Sequence, residues 1–111
     1  MSVAFACDIS AIPPADRPRH HELTQYLVTE AADEIEEVRN GLFLTFRPTD
    51  LVAVTEFIAR ERLCCPFVDF TLRVPSQGPV RLELSGPDGV TEFLRAELGI
   101  DRAARQPNAD L

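Results

Sequence analysis

The dipeptide Asn40-Gly41 constrains this chain more than any other feature. Val38 precedes it, and Leu42, Leu44 and Phe46 follow in alternation with other residues. An Asn-Gly step between alternating apolar residues is the strongest short-range hairpin signal, so two antiparallel strands must meet there. A second pair lies downstream. Val68, Phe70, Leu72 and Val74 alternate with Asp69, Thr71 and Arg73; after a turn from Pro75 to Pro79, Val80, Leu82 and Leu84 alternate with Arg81 and Glu83. A period of two marks strands with one face buried, and that face needs helices to cover it.

The helices are legible at their ends. Leu23, Tyr26, Leu27 and Ala31 recur at helical spacing behind Asp16 and Pro18, which predicts a capped helix from about Arg17 to Ala32. Pro48, Thr49 and Asp50 open a second helix with Leu51, Val54, Phe57 and Ile58 as its apolar face. Pro66 ends it, because the residue before a proline is pushed out of the α region. A third carries Val90, Phe93, Leu94 and Leu98 between Gly86-Pro87-Asp88-Gly89 and the stop at Gly99. Ahead of them Val3, Phe5, Ile9 and Ile12 read as an extended lead-in that stops at Pro13-Pro14. The acidic run from Glu30 to Glu37, broken by Ile35, reads as a solvated edge strand or loop. The resulting class is α+β: a two-layer sandwich with an antiparallel or mixed sheet of about four strands and helices on one face. A ferredoxin-like arrangement is one option for its latter half. At 111 residues this is one domain, expected over 1–101, with a flexible tail at 102–111.

Charge removes several chemistries. All eleven basic residues are Arg and the net charge is −7, so lysine Schiff bases and the P-loop lysine are excluded and nucleic acid is an unsuited partner. The five glycines fall in no G-x-G or Walker spacing, which leaves no loop to cradle a nucleotide cofactor. No apolar run approaches the roughly 20 residues of a membrane span. The start shows no secretory pattern, so a cytoplasmic protein is expected.

Chemistry concentrates in Arg60-Glu61-Arg62-Leu63-Cys64-Cys65-Pro66-Phe67. In a cytoplasmic chain the three cysteines are expected as thiols. Adjacent cysteines on a regular helix diverge by about 100°, but the break at Pro66 relaxes that constraint, so that one thiol can turn outward or the pair at the helix end can jointly grip a soft ion. Glu61 lies three and four residues before them, on the same face. Arg60 and Arg62 favour a thiolate if they lie close, against the negative end of the helix dipole. His20 falls on the apolar face of the first helix, three residues before Leu23 and seven before Leu27, whereas His21 points elsewhere. Cys7, His20, Cys64 and Cys65 together form an S₃N set suited to zinc, copper(I), cadmium or mercury. Cys64, Cys65 and Glu61 are also the candidate catalytic residues. The plain alternative is a core role, since cysteine is among the most buried residue types.

The run Cys7-Asp8-Ile9-Ser10-Ala11-Ile12-Pro13, the pair Arg19-His20, and Glu61-x-x-Cys64-Cys65-Pro66-Phe67-x-x-Phe70-x-Leu72 resemble a family of small bacterial proteins that keeps company with heavy-metal resistance genes. The resemblance extends to Gly86-Pro87-x-Gly89 and Leu94, with Ile9 where that family carries leucine. It marks Cys7, His20, Glu61, Cys64 and Cys65 as the positions of interest. Three functional readings follow. The first is a soft-metal or metalloid binder that carries, sequesters or helps to sense its ion, with Glu61 behind the ligands. The second is a thiol-dependent enzyme, redox or organometal-cleaving, with a cysteine nucleophile and Glu61 as proton donor. The third is a partner-binding domain with structural cysteines, forming a homodimer through the edge strand that ends near Val38. The expected partner is a metal ion or a small thiol-reactive molecule.

Overall fold

The computed structural model describes residues 5–100. The expected tail at 102–111 and Val3 of the lead-in lie outside them. The helical and strand elements are α1 (Arg17–Tyr26), β1 (Ala32–Val38), β2 (Gly41–Phe46), α2 (Leu51–Cys64), β3 (Asp69–Arg73), β4 (Val80–Ser85) and α3 (Val90–Leu98). A π-helical turn over Leu27–Ala31 joins α1 to β1, so the first helix changes pitch before the end expected for it. That turn buries Leu27, Val28 and Ala31.

The sheet order is β1-β2-β4-β3, with every neighbouring pair antiparallel. β4 therefore lies between β2 and β3, the strands that α2 connects. This is the split βαβ arrangement of ferredoxin-like folds, and β1 adds the fourth strand beside β2. Leu42, Leu44 and Phe46 of β2 and Val80, Leu82 and Leu84 of β4 all point to one face and are buried. Val54 and Phe57 of α2 and Val90, Leu94 and Leu98 of α3 belong to the same core cluster. The opposite face is polar, with the Arg81 guanidinium 4.6 Å above the Phe43 ring. A two-layer α+β sandwich with helices on one face results. β1 forms one edge; its Asp33, Glu34, Glu36 and Glu37 are the charged side chains that discourage edge-to-edge pairing.

The lead-in differs from the extended segment expected. Two 3₁₀ turns occupy it, Ile9–Ala11 and Pro14–Asp16. Asp8 caps the first: its side chain accepts from the Ser10 backbone N–H at 3.1 Å. The Ser10 hydroxyl and backbone N–H hold this exposed carboxyl below its usual range. Ile12 is fully buried, and its carbonyl accepts from Arg17 Nε at 2.9 Å. The Asp8 N–H donates to the Cys64 carbonyl at 2.8 Å. That bond ties the lead-in, and Cys7 with it, to the C-terminal end of α2.

Candidate metal centre

The apolar face of α2 runs Val54, Phe57, Glu61, Cys64, all buried at helical spacing. The last two positions are thus a chemical continuation of the core face. Cys65 caps the helix at φ −122° and ψ 74°, outside the α region, while its N–H still reaches the Glu61 carbonyl at 2.9 Å. Pro66 enforces that break. Because of it both sulfurs turn inward: Cys64 Sγ and Cys65 Sγ are 3.7 Å apart. Cys65 Sγ lies 3.4 Å from Glu61 Oε2 and Cys64 Sγ 3.7 Å from Glu61 Oε1.

Cys7 arrives from the lead-in and is joined to Cys65 by a disulfide, with Cα atoms 4.7 Å apart. This corrects the expectation of three thiols. The two cysteines are 58 residues apart in the chain, and only the docking of the lead-in on α2 brings them together. Cys64 is the free, buried thiol. Ligand atoms of Cys7, Glu61, Cys64 and Cys65 all lie within 4.8 Å of one another, a group that could hold a metal ion.

His20 stands behind Glu61 rather than beside the sulfurs. Its Nε2 is 2.7 Å from Glu61 Oε1, and both side chains are buried. Its ring stacks on Phe57 at 5.6 Å between centroids with 14° between planes. Nδ1 is buried with no hydrogen-bond partner. An unpartnered lone pair is cheaper there than an unpartnered N–H donor, so the tautomer that fits carries its proton on Nε2 and donates to Glu61. The S₃N set of the sequence becomes S₃O in space: the histidine orients the carboxylate, and the carboxylate faces the sulfurs.

The electrostatics oppose a free thiolate. Burial, then the Glu61 carboxylate, then Glu97 push the Cys64 thiol up to about 12. Arg60 and Arg62 give no help. Arg60 is engaged by Glu56 and lies 3.9 Å from Asp16, and Arg62 is exposed beside Pro66 and Val68 on another part of the surface. The helical spacing that placed them next to the cysteines in sequence turns them away from the sulfurs.

A cavity of about 120 Å³ opens onto the group, lined among others by Cys7, Ile9, His20, Thr24, Glu61, Cys64 and Glu97. Glu97, on the last turn of α3, has no sulfur or histidine near it in sequence and was missed there. Partial burial and the charge of Glu61 raise its pKa. Its only signal is its place four residues after Phe93, at the margin of the apolar face. His21 also lines the cavity from its exposed position. No helix among the described residues is long and apolar enough to cross a membrane. Comparison of the chain with protein-family models, curated proteins and solved structures found no match.

Proposed function

We propose that this protein binds a soft metal or metalloid ion through Cys7, Cys64 and Cys65 with Glu61 as an oxygen ligand, and serves as a carrier, sequestering agent or sensing accessory in heavy-metal resistance. The observation that carries the reading is the convergence within 4.8 Å of four ligand atoms, three from the end of α2 and one from the distant lead-in. Their spacing has a chemical scale. Ligands at zinc–sulfur and zinc–oxygen bond lengths sit about 3.8 Å apart for two sulfurs and about 3.5 Å for sulfur and oxygen at the corners of a tetrahedron. Cys64 and Cys65 stand 3.7 Å apart, and each lies near its own Glu61 oxygen, Cys64 3.7 Å from Oε1 and Cys65 3.4 Å from Oε2; Cys7 and Cys65 take such a spacing only once their disulfide is reduced. Soft thiolates favour zinc, copper(I), cadmium or mercury over hard cations. His20 supports Glu61 from behind, as the outer partners of metal ligands do.

The alternative of a cysteine nucleophile requires a thiolate near neutral pH. A thiol held up at about 12 by burial and two carboxylates is poorly suited to that role. The test is elemental analysis of reduced protein purified without chelator, beside the Cys64→Ser/Cys65→Ser double variant. The expected result is about one soft ion per wild-type chain and none in the variant, with circular dichroism unchanged. Equal uptake by both proteins refutes the assignment.

A further inference from the structure

The cavity and the disulfide together carry a step beyond ion binding, one that rests on the reading above. We propose that the Cys7–Cys65 disulfide is a redox gate on the ion site, opened by a small thiol that enters the cavity and attacks Cys7. Three observations support it. Two of the three sulfurs are joined in a bond, and a disulfide sulfur is no thiolate ligand. The third sulfur and Glu61 already stand at ligand spacing, so the only large rearrangement needed is separation of Cys7 from Cys65. Finally, the two bonded sulfurs differ in access. Cys65 is fully buried and does not line the cavity, whereas Cys7 is half-buried and does.

The exchange balances with a low-molecular-weight thiol, RSH, as reductant. Its thiolate attacks Cys7 Sγ; the S–S bond breaks and its electron pair leaves on Cys65 Sγ. The products are a Cys7–S–SR mixed disulfide and a Cys65 thiolate facing Glu61. A second thiolate attacks the R-bearing sulfur and releases Cys7 as thiolate, with RSSR as the oxidised product. Two thiols have supplied two electrons and two protons, and the protein holds three sulfurs free to ligate. An oxidised small disulfide runs the sequence in reverse: it joins Cys7 to Cys65, removes two of the four ligands and expels the ion. A cavity of about 120 Å³ admits a thiol of a few heavy atoms and excludes the loop of a protein reductant. In a reducing compartment the gate stands open, and oxidation discharges the ion.

The test uses the full chain in two states, air-oxidised and treated with 2-mercaptoethanol that is then removed anaerobically. Thiols are counted in denaturant, disulfide-linked peptides are mapped, and cadmium is titrated by its ultraviolet thiolate-to-metal band. The oxidised chain should show one thiol, a Cys7–Cys65 linked peptide and no cadmium band. The reduced chain should show three thiols and one cadmium, bound roughly a hundredfold or more tightly, since loss even of an outer partner costs 10- to 100-fold. The Cys7→Ser variant should bind cadmium alike under both treatments, through Cys64, Cys65 and Glu61. Cys64→Ser keeps the gate and should keep the difference between the two states. Equal cadmium binding by both wild-type states overturns the gate and leaves the ion site standing. Absence of binding with all three thiols free overturns the ion site and the gate together. A Cys64–Cys65 link in the oxidised chain overturns the gate as drawn.

Discussion

Alkylation of Cys64 as a function of pH reads the interior of the site directly. With Cys7 and Cys65 joined, Cys64 is the one free thiol, so a single rate reports a single group. Its thiol is pushed up from 9.0 to about 12, by burial first, then by Glu61 and Glu97. A displacement of about three pH units is a thousandfold difference in population: at pH 8 the thiolate falls from roughly one molecule in ten to roughly one in ten thousand. Only the thiolate reacts, so the second-order rate with iodoacetamide should climb about tenfold per pH unit from 7 to 10 without levelling. The profile matters more than the absolute rate, because steric occlusion lowers the whole curve but leaves its midpoint in place. Glu97→Gln removes one opposing charge at the mouth of the cavity and should move the curve to lower pH. The same group affects stability with a definite sign. Its folded pKa is raised, so its contribution is complete below pH 9 and is lost as pH rises from there toward 12. A rate that levels near pH 9 refutes the argument, since it would place the sulfur in a water-like setting.

Two further outcomes test the frame around the site. Arg19 and Arg60 both donate to Glu56, and their hydrogen bonds lower its carboxyl to about 2. A depressed carboxyl contributes stability above its unfolded value of about 4.5 and loses it as pH falls toward 2. Urea midpoints of wild type and Glu56→Gln should therefore differ at pH 6 and converge by pH 2, and a constant gap refutes the pairing. Gly41→Ala would place a Cβ 2.1 Å from the Leu84 carbonyl oxygen, backbone that cannot swing aside. β2 and β4 must part there, at a cost of about 1–3 kcal/mol or more in urea denaturation. An unchanged midpoint would mean that the Gly41–Ser85 register is wrong.

The strands were legible because their period of two survives in the sheet, and α2 because Pro66 gives it an unmistakable end. The hairpin was legible in kind and displaced by one residue. The turn is Arg39-Asn40, where Asn40 takes φ 59°. Gly41 is already strand, and it is glycine for lack of room beside Leu84 rather than for its dihedrals. Cys7 was read as a candidate ligand, but its bond to Cys65 was not. Three cysteines permit three pairings, and the one formed depends on how the lead-in docks on the end of α2, where the Asp8 N–H donates to the Cys64 carbonyl and Ile12 is buried. The exchange of places between His20 and Glu61 was equally invisible. Sequence spacing gives the face of each helix but not the depth at which two faces meet, and here α1 and α2 meet with the imidazole one layer further from the sulfurs. Glu97 comes from a third helix, and no local pattern links it to the other two.

The Cys–Glu group grows out of the core, and that placement bears on the ion binding proposed for it. Phe57 packs in the core cluster and stacks on His20; His20 holds Glu61; Glu61 faces the sulfurs. Each member is fixed by the one before it, so Glu61 and the Cys64 sulfur are held in place before any ion arrives, and preorganisation of that kind is where binding sites gain affinity; Cys7 and Cys65 join them only once their disulfide is reduced. The same placement is costly without an ion. Glu61 is desolvated with only His20 and the Cys64 thiol as side-chain hydrogen-bonding partners among the described residues, and that thiol must keep its proton among carboxylates. A soft cation bound at this point would offset these costs together, by neutralising the carboxylate and displacing the thiol protons. A neutral electrophile offers no such compensation, and an oxyanion would add negative charge beside Glu61 and Glu97. If the group binds an ion as proposed, the burial that disfavours a Cys64 thiolate is also what would favour a soft cation over a neutral electrophile or an oxyanion.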